Sequence, residues 1–163
     1  MLEDFTVAHN TYSAMQFVIL LASHWKGEPL IITVSSESFP HLRTGAIRDM
    51  LAIMGEDFDP RCWSKGDYTY EWDNRCKLEY ISGDHAERFS GPRRHIQVFT
   101  ELNNVAQMVY READLRTSMF LIADWNPYGE FWFHDEKLAE DPDNVFYGGL
   151  TYHDTPDIIT PET

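Results

Sequence analysis

The chain has 163 residues, 43% of them apolar and 14% aromatic, which suits one folded domain with a real core and not a disordered chain. Lys and Arg number 13 against 27 Asp and Glu, and the formal charge of −14 should repel free nucleic acid and acidic membranes. No apolar run reaches the ~18 residues of a membrane span, Glu3 and Asp4 stand where a secretory signal would be basic, and Cys62 and Cys76 suit neither a disulfide framework nor a C-x-x-C zinc site.

Residues 11 to 25, TYSAMQFVILLASHW, predict a helix, with Ala14, Phe17, Val18 and Leu21 at i, i+3, i+4, i+7 spacing. Met15, Ile19 and Ala22 make a second side apolar, so the helix is expected to be buried nearly all round. Lys26-Gly27 and Pro29 end it, and Leu30 to Val34 predicts a short buried strand. Ser38, with Pro40 just inside, opens another helix. Leu42, Ala46, Ile47, Met50 and Met54 give that helix one core stripe, and Gly55 stops it. Asp59 to Gly66 reads as loop. Tyr68 to Trp72 and Lys77 to Ser82 alternate as a hairpin around Asp73-Asn74, an expected antiparallel insertion.

Gly83 to Arg94 is polar and holds Arg88, Arg93 and Arg94. Ile96 to Phe99 predicts an interior strand of a parallel sheet, followed by Thr100, Glu101 and two asparagines. Asn104 to Leu115 predicts a helix, and Ser118 to Ala123 a further buried strand that leaves through Asp124-Trp125-Asn126-Pro127. Glu130 to Ala139 reads as a short helix, and Glu140 to Thr163 as a linker or the start of another unit. Strands alternating with helices imply parallel βαβ units and an α/β three-layer domain. In such sheets chemistry gathers beyond the carboxyl ends of the strands, which is where Glu101 stands. Nucleotide hydrolases use that place to orient or deprotonate the attacking water.

Four pieces, VSSESFPHLRTGAIRDML, YISGDHAERFSGPRRHIQVFTELNN, FLIADWNPYGEFWFHDE and LTYHDTP, taken in that order, resemble the ATPase domain of phage large terminase subunits, the motors that package DNA into capsids. The resemblance runs from Thr11 to about Pro156. It implies a P-loop-NTPase-like three-layer parallel sheet in which IQVFTE is the Walker B strand and Glu101 the catalytic glutamate. Asp124 to Asn126 becomes the coupling segment, with Asn126 sensing the γ-phosphate through its side chain. Arg88, Arg93 and Arg94 are candidates for stabilising charge on the transferring phosphate. ATP and Mg²⁺ are the implied cofactors, with Thr11 and Thr100 on the cofactor and Thr11 and Glu101 on the metal. Thr100 departs from the pattern, since many such ATPases carry Asp there, and this weakens the outer-sphere hold on Mg²⁺. Implied partners are double-stranded DNA, a portal protein, a small terminase subunit and further copies in a ring, in the host cytoplasm.

A P-loop, G-x-x-x-x-G-K-[ST], should precede the helix that begins near Tyr12. Residues 4 to 11 read DFTVAHNT, in which only Thr11 fits. MLEDFTVAHN followed by Thr resembles the C-terminal end of an intein. On that resemblance Asn10 cyclises onto its own carbonyl, His9 assists as acid or polarising group, and Thr11 is the nucleophile that accepts the upstream segment. The expected organisation is an intein remnant over 1–10, a partial ATPase domain without its first strand and P-loop over 11–140, and a linker toward a nuclease domain over 141–163. Two competing readings are a non-catalytic terminase-like module that binds a protein, and a metal-dependent nuclease using Asp84, His85 and Glu101.

Overall fold

The computed structural model describes residues 10–91, 93–126 and 128–135, with the backbone alone at Asn10. Residues 1–9 of the remnant expected over 1–10, Pro127, and the tail from 136 onward lie outside the described residues, as do residues 136–139 of the helix expected over Glu130 to Ala139.

Helix α1 (Asn10–His24) leads into strand β1 (Ile31–Ser36). Helix α2 (Phe39–Leu42) runs through a π-type turn at Arg43–Ile47 into helix α3 (Arg48–Met54). Strands β2 (Trp63–Ser64), β3 (Thr69–Glu71) and β4 (Lys77–Ser82) follow. Strand β5 (Arg94–Phe99), helix α4 (Gln107–Asp114) and strand β6 (Thr117–Ala123) complete the domain. The six strands form one sheet in the order β2-β3-β4-β1-β5-β6. β4, β1, β5 and β6 run parallel, while β2 pairs antiparallel with β3 and β3 antiparallel with β4. This is the expected three-layer α/β arrangement, with one correction. The second arm of the hairpin, β4, is no insertion but an interior strand paired in parallel with β1 and antiparallel with β3.

One face of the sheet carries Ile32, Val34, Leu78, Tyr80, Ile96 and Val98 beneath α1, α2 and α3. The other carries Phe99 with Phe89, Leu102, Val105 and α4. The helix stripe read from the sequence is the buried one: Leu42, Ala46, Ile47, Met50 and Met54 all pack in the first core. Gly55 ends that helix at φ +50°, a conformation that glycine adopts without steric cost. Helix α1 departs from expectation. It buries Ala14, Met15, Val18, Ile19 and Ala22 along one side, while Leu20 is 62% exposed, so it lies on the sheet and not within it.

The strands extend beyond their apolar runs. β1 continues through Ser35 and Ser36, and β5 begins at Arg94, all of them buried. Polar side chains tolerate this because they hydrogen-bond one another, within a strand or across to the next. Gln97 Nε2 donates to Ser35 Oγ at 3.0 Å, Arg94 Nη1 to Gln97 Oε1 at 3.0 Å, and Thr33 Oγ1 to Glu79 Oε1 at 2.7 Å. Among the described residues β6 is an edge strand. Its apolar residues Phe120 to Ala123 are all half-buried, and Met119 is 46% exposed.

Candidate functional site

The parallel register brings the carboxyl ends of four strands to one rim. Ser36 stands beside Ser82, Ser35 beside Phe99, and Phe99 beside Ala123. The residues that leave this rim are Gly83, Thr100, Glu101 and Asp124. They mark the crevice where open α/β sheets bind ligands.

Glu101 opens the turn after β5 and adopts φ +55°, ψ +52°, the left-handed region. That conformation costs a non-glycine residue about 1–2 kcal/mol, so neighbouring contacts must hold it. They come from β6. Asp124 Oδ1 accepts the Glu101 N–H at 2.9 Å, Asp124 N–H donates to the Phe99 carbonyl at 3.0 Å, and Leu102 N–H donates to the Asp124 carbonyl at 2.8 Å. The Glu101 residue is half-buried, and its carboxylate makes no hydrogen bond or ion pair among the described residues.

The first turn of α1 reaches the same place. Thr11 Oγ1 donates to Asp124 Oδ2 at 3.3 Å. Burial pushes the Asp124 carboxyl up to about 6, against the opposing pull of the Glu101 N–H and the Thr11 hydroxyl; the charges of Glu101 and Asp49 add smaller upward pushes. Near neutrality the group is an anion held at a cost by two donors. A helix start, a hydroxyl and two carboxylates therefore converge within one turn of the strand ends.

The other expected site residues are placed differently. Thr100 is 4% exposed, and its hydroxyl points back to the Ser35 carbonyl at 3.4 Å, so it is built into the sheet end. Asn126 is exposed just beyond Asp124, and its carbonyl accepts the Tyr128 N–H at 2.8 Å. Arg88 lies after β4 in an ion pair with Asp84 at 3.4 Å. Arg93 precedes β5, at the opposite end of the strand from Glu101, with roughly 20 Å of extended chain between it and Phe99. Arg94 is 1% exposed, donates to Gln97 and to the Phe89 carbonyl, and lies over the Phe89 ring, which makes it part of the core. Of the proposed splice junction, His9 and the Asn10 side chain lie outside the described residues.

Asp124 is the site residue whose contacts to Glu101 and Thr11 the sequence did not foresee. It stood in the coupling segment, but its contact to Glu101 spans 23 residues and no local pattern signals it. Among the described residues no three His, Cys, Asp or Glu side chains converge to hold a metal, so Asp84, His85 and Glu101 do not assemble into a carboxylate cluster.

No protein-family model and no curated protein matches this chain. Solved structures do. The large terminase from a thermophilic bacteriophage, in crystal form 2, superposes with a TM-score of 0.73 at 16% identity. The match covers 93% of this chain and 38% of that one. The same phage protein in complex with ADP, in crystal form 3, gives a TM-score of 0.66 at 16% identity over 93% of this chain and 38% of that one. Its complex with ATP-γ-S also gives 0.66 at 16% identity, over 93% of this chain and 37% of that one. The chain thus spans well under half the length of the terminase it matches, and over that span it shares the α/β fold of a phage large terminase.

Proposed function

We propose that this chain is part of the ATPase motor of a viral DNA-packaging large terminase subunit, with β5 as the Walker B strand and Glu101 as the group that orients or deprotonates the attacking water. The observation that carries this reading is the meeting of Glu101, Asp124 and Thr11 at the strand ends of a fold shared with a terminase solved with ADP and with ATP-γ-S. On this reading the strand that feeds a glycine-rich phosphate loop lies beside β6, whose apolar residues stand half-uncovered at the edge. The loop would run into α1 just before Thr11.

The oxygen donors present suit Mg²⁺, a hard cation that takes one or two protein oxygens beside substrate phosphates and keeps several waters. Thr11 would hold it, with Glu101 across the site. When bound it neutralises charge on the phosphates. The chain's own part is to fix Thr11 at the helix start, to hold Glu101 toward the water and to present Asn126 to the γ-phosphate. Arg88 and Arg93 are the charge-stabilising candidates, and Arg93 would serve a neighbouring copy in a homo-oligomeric ring. Translocation of double-stranded DNA, docking to a portal protein and a small terminase subunit, and action in the host cytoplasm follow from the same reading. So does splicing at His9-Asn10-Thr11, after which Thr11 would pass from nucleophile to Mg²⁺ ligand.

Two observations favour a second reading, a non-catalytic terminase-like module that binds a partner protein. Thr100 replaces an acid, and no G-x-x-x-x-G-K-[ST] occurs in the 163 residues. The upstream sequence separates the two readings. Joined to an upstream segment that ends in a phosphate loop, the chain is expected to hydrolyse ATP and to lose turnover on Glu101→Gln, while the 163 residues alone turn over none. A joined protein that binds no ATP, or whose turnover ignores Glu101→Gln, leaves the binding module.

A further inference from the structure

The Asp124 carboxylate has two oxygens, and each goes to a different element. Oδ1 accepts the Glu101 main-chain N–H in the turn after β5, and Oδ2 accepts the Thr11 hydroxyl in the first turn of α1. The main chain repeats the tie, with Asp124 N–H on the Phe99 carbonyl and Leu102 N–H on the Asp124 carbonyl. Glu101 is therefore bracketed on both sides by β6. Its left-handed backbone is one that glutamate leaves readily unless its N–H is held. Thr100, the neighbour from which an acid would be expected to act, is turned into the sheet end with its hydroxyl on Ser35.

We propose that Asp124 is a positioning residue of the hydrolytic site, doing from β6 what an acid at position 100 would do from β5: it holds the Glu101 main chain and the Thr11 hydroxyl in one frame. The proposal rests on the reading of Glu101 as the catalytic group. A carboxylate that accepts a backbone N–H makes a short, charge-assisted bond with a defined direction. With that bond lost, the turn relaxes toward right-handed or extended backbone, and the Glu101 side chain leaves its direction. A displacement of about 1 Å at such a group costs on the order of 10²-fold in rate. Asp124 acts through Glu101 and Thr11, the two partners of its carboxylate. It makes the exit of β6 and the end of β5 a single mechanical unit, so a change at Asn126 reaches Glu101 by way of Trp125 and Asp124.

The test has two arms. In the 163-residue chain, amide exchange and the backbone coupling that reports φ are measured by NMR at Glu101 in wild type, Asp124→Ala and Asp124→Asn. The Glu101 amide is expected to exchange about tenfold faster or more in Asp124→Ala, with its coupling leaving the left-handed value. Asp124→Asn retains a carbonyl acceptor and is expected to keep the coupling. In the complete polypeptide that supplies the phosphate loop, Asp124→Ala is expected to lower kcat about 10²-fold with KM for ATP nearly unchanged, and Asp124→Asn to restore part of the loss. If Asp124→Ala does not fold, Asp124→Asn carries the test, with kcat reduced and φ at Glu101 retained. Glu101 exchange indifferent to Asp124, or turnover that dies with Glu101→Gln and ignores both Asp124 variants, overturns the proposal alone. Turnover that ignores Glu101→Gln overturns the catalytic reading and the proposal with it.

Discussion

The amide of Gly83 donates to the carbonyl of Ser36 across 2.7 Å, and a side-chain carbon at Gly83 would lie 2.6 Å from that oxygen. β4 and β1 thus leave the sheet in direct main-chain contact at the rim that holds the site. The obstructing atom belongs to the backbone of a buried strand and has nowhere to move. Gly83→Ala is expected to cost roughly 2 kcal/mol, read as a lower denaturant midpoint at constant slope. An unchanged midpoint would show that the two strand ends separate without penalty.

Asn74 joins the turn between β3 and β4 to the end of α1. Its Nδ2 donates to the Ala22 carbonyl at 2.7 Å and the Trp25 carbonyl at 3.1 Å, and its Oδ1 accepts the Cys76 N–H at 3.0 Å. The last carbonyls of a helix lack intrahelical partners, so this side chain serves as a distant cap. Asn74→Ala should destabilise the fold by about 2 kcal/mol. Asn74→Asp should be no better, because it removes both donors and places a negative charge at the negative end of the helix. Thermal melts of the two variants check this, and an Asp variant as stable as wild type would refute the donor role.

Tyr80 carries a buried hydroxyl with no hydrogen-bond partner among the described residues. Burial, and then the charge of Asp49, push its phenol well above the ordinary tyrosine range. Tyr80→Phe removes an unsatisfied polar atom and keeps the ring, so it is expected to gain about 1 kcal/mol. The shift also sets a pH dependence. A folded-state pKa above the unfolded one favours the protonated folded form, so the contribution is complete below about pH 10 and falls away above it. Unfolding midpoints should decline above that pH in wild type, and less steeply in Tyr80→Phe. Equal slopes in both proteins would remove Tyr80 as the cause.

Arg94 is a core residue that looks in the sequence like part of a basic loop. Its guanidinium donates to Gln97 Oε1 at 3.0 Å and to the Phe89 carbonyl at 3.4 Å. It also lies 5.3 Å from the centre of the Phe89 ring. A lysine has no planar fork to reach both acceptors. Arg94→Lys is therefore expected to cost roughly 2 kcal/mol through the lost charge-assisted bonds. A nearly neutral Arg94→Lys in chemical denaturation would show that only the stem and the charge matter.

The same residues explain where sequence patterns ran short. Apolar periodicity placed the strand cores at Leu30 to Val34 and Ile96 to Phe99, yet β1 runs to Ser36 and β5 starts at Arg94. Ser35 and Arg94 look like loop residues when read singly, and Gln97 is a polar residue within an apolar run. Arg94 donates to Gln97 three residues on in the same strand, and Gln97 donates to Ser35 on β1, 62 residues away and outside any local window. The hairpin arm from Lys77 to Ser82 was visible as a strand, but its parallel partner β1 lies more than 40 residues earlier. α1 has apolar residues on most of its surface, and which side is covered depends on where α3 packs.

Apolar runs, helix stops and the alternation of elements were enough to predict a parallel three-layer sheet and to put Glu101 at the end of an interior strand, because both depend on local spacing and on the need to bury two faces. The resemblance to large terminases rested on motif order, and the shared fold agrees with it. The left-handed turn at Glu101, the inward Thr100 and the carboxylate bridge from Asp124 to Thr11 came from the folded arrangement alone. These are relations between polar groups on three separate elements. Burial drives the elements together without regard to direction, whereas hydrogen bonds act only at fixed distance and angle, so such relations exist once the register of β5 and β6 is set.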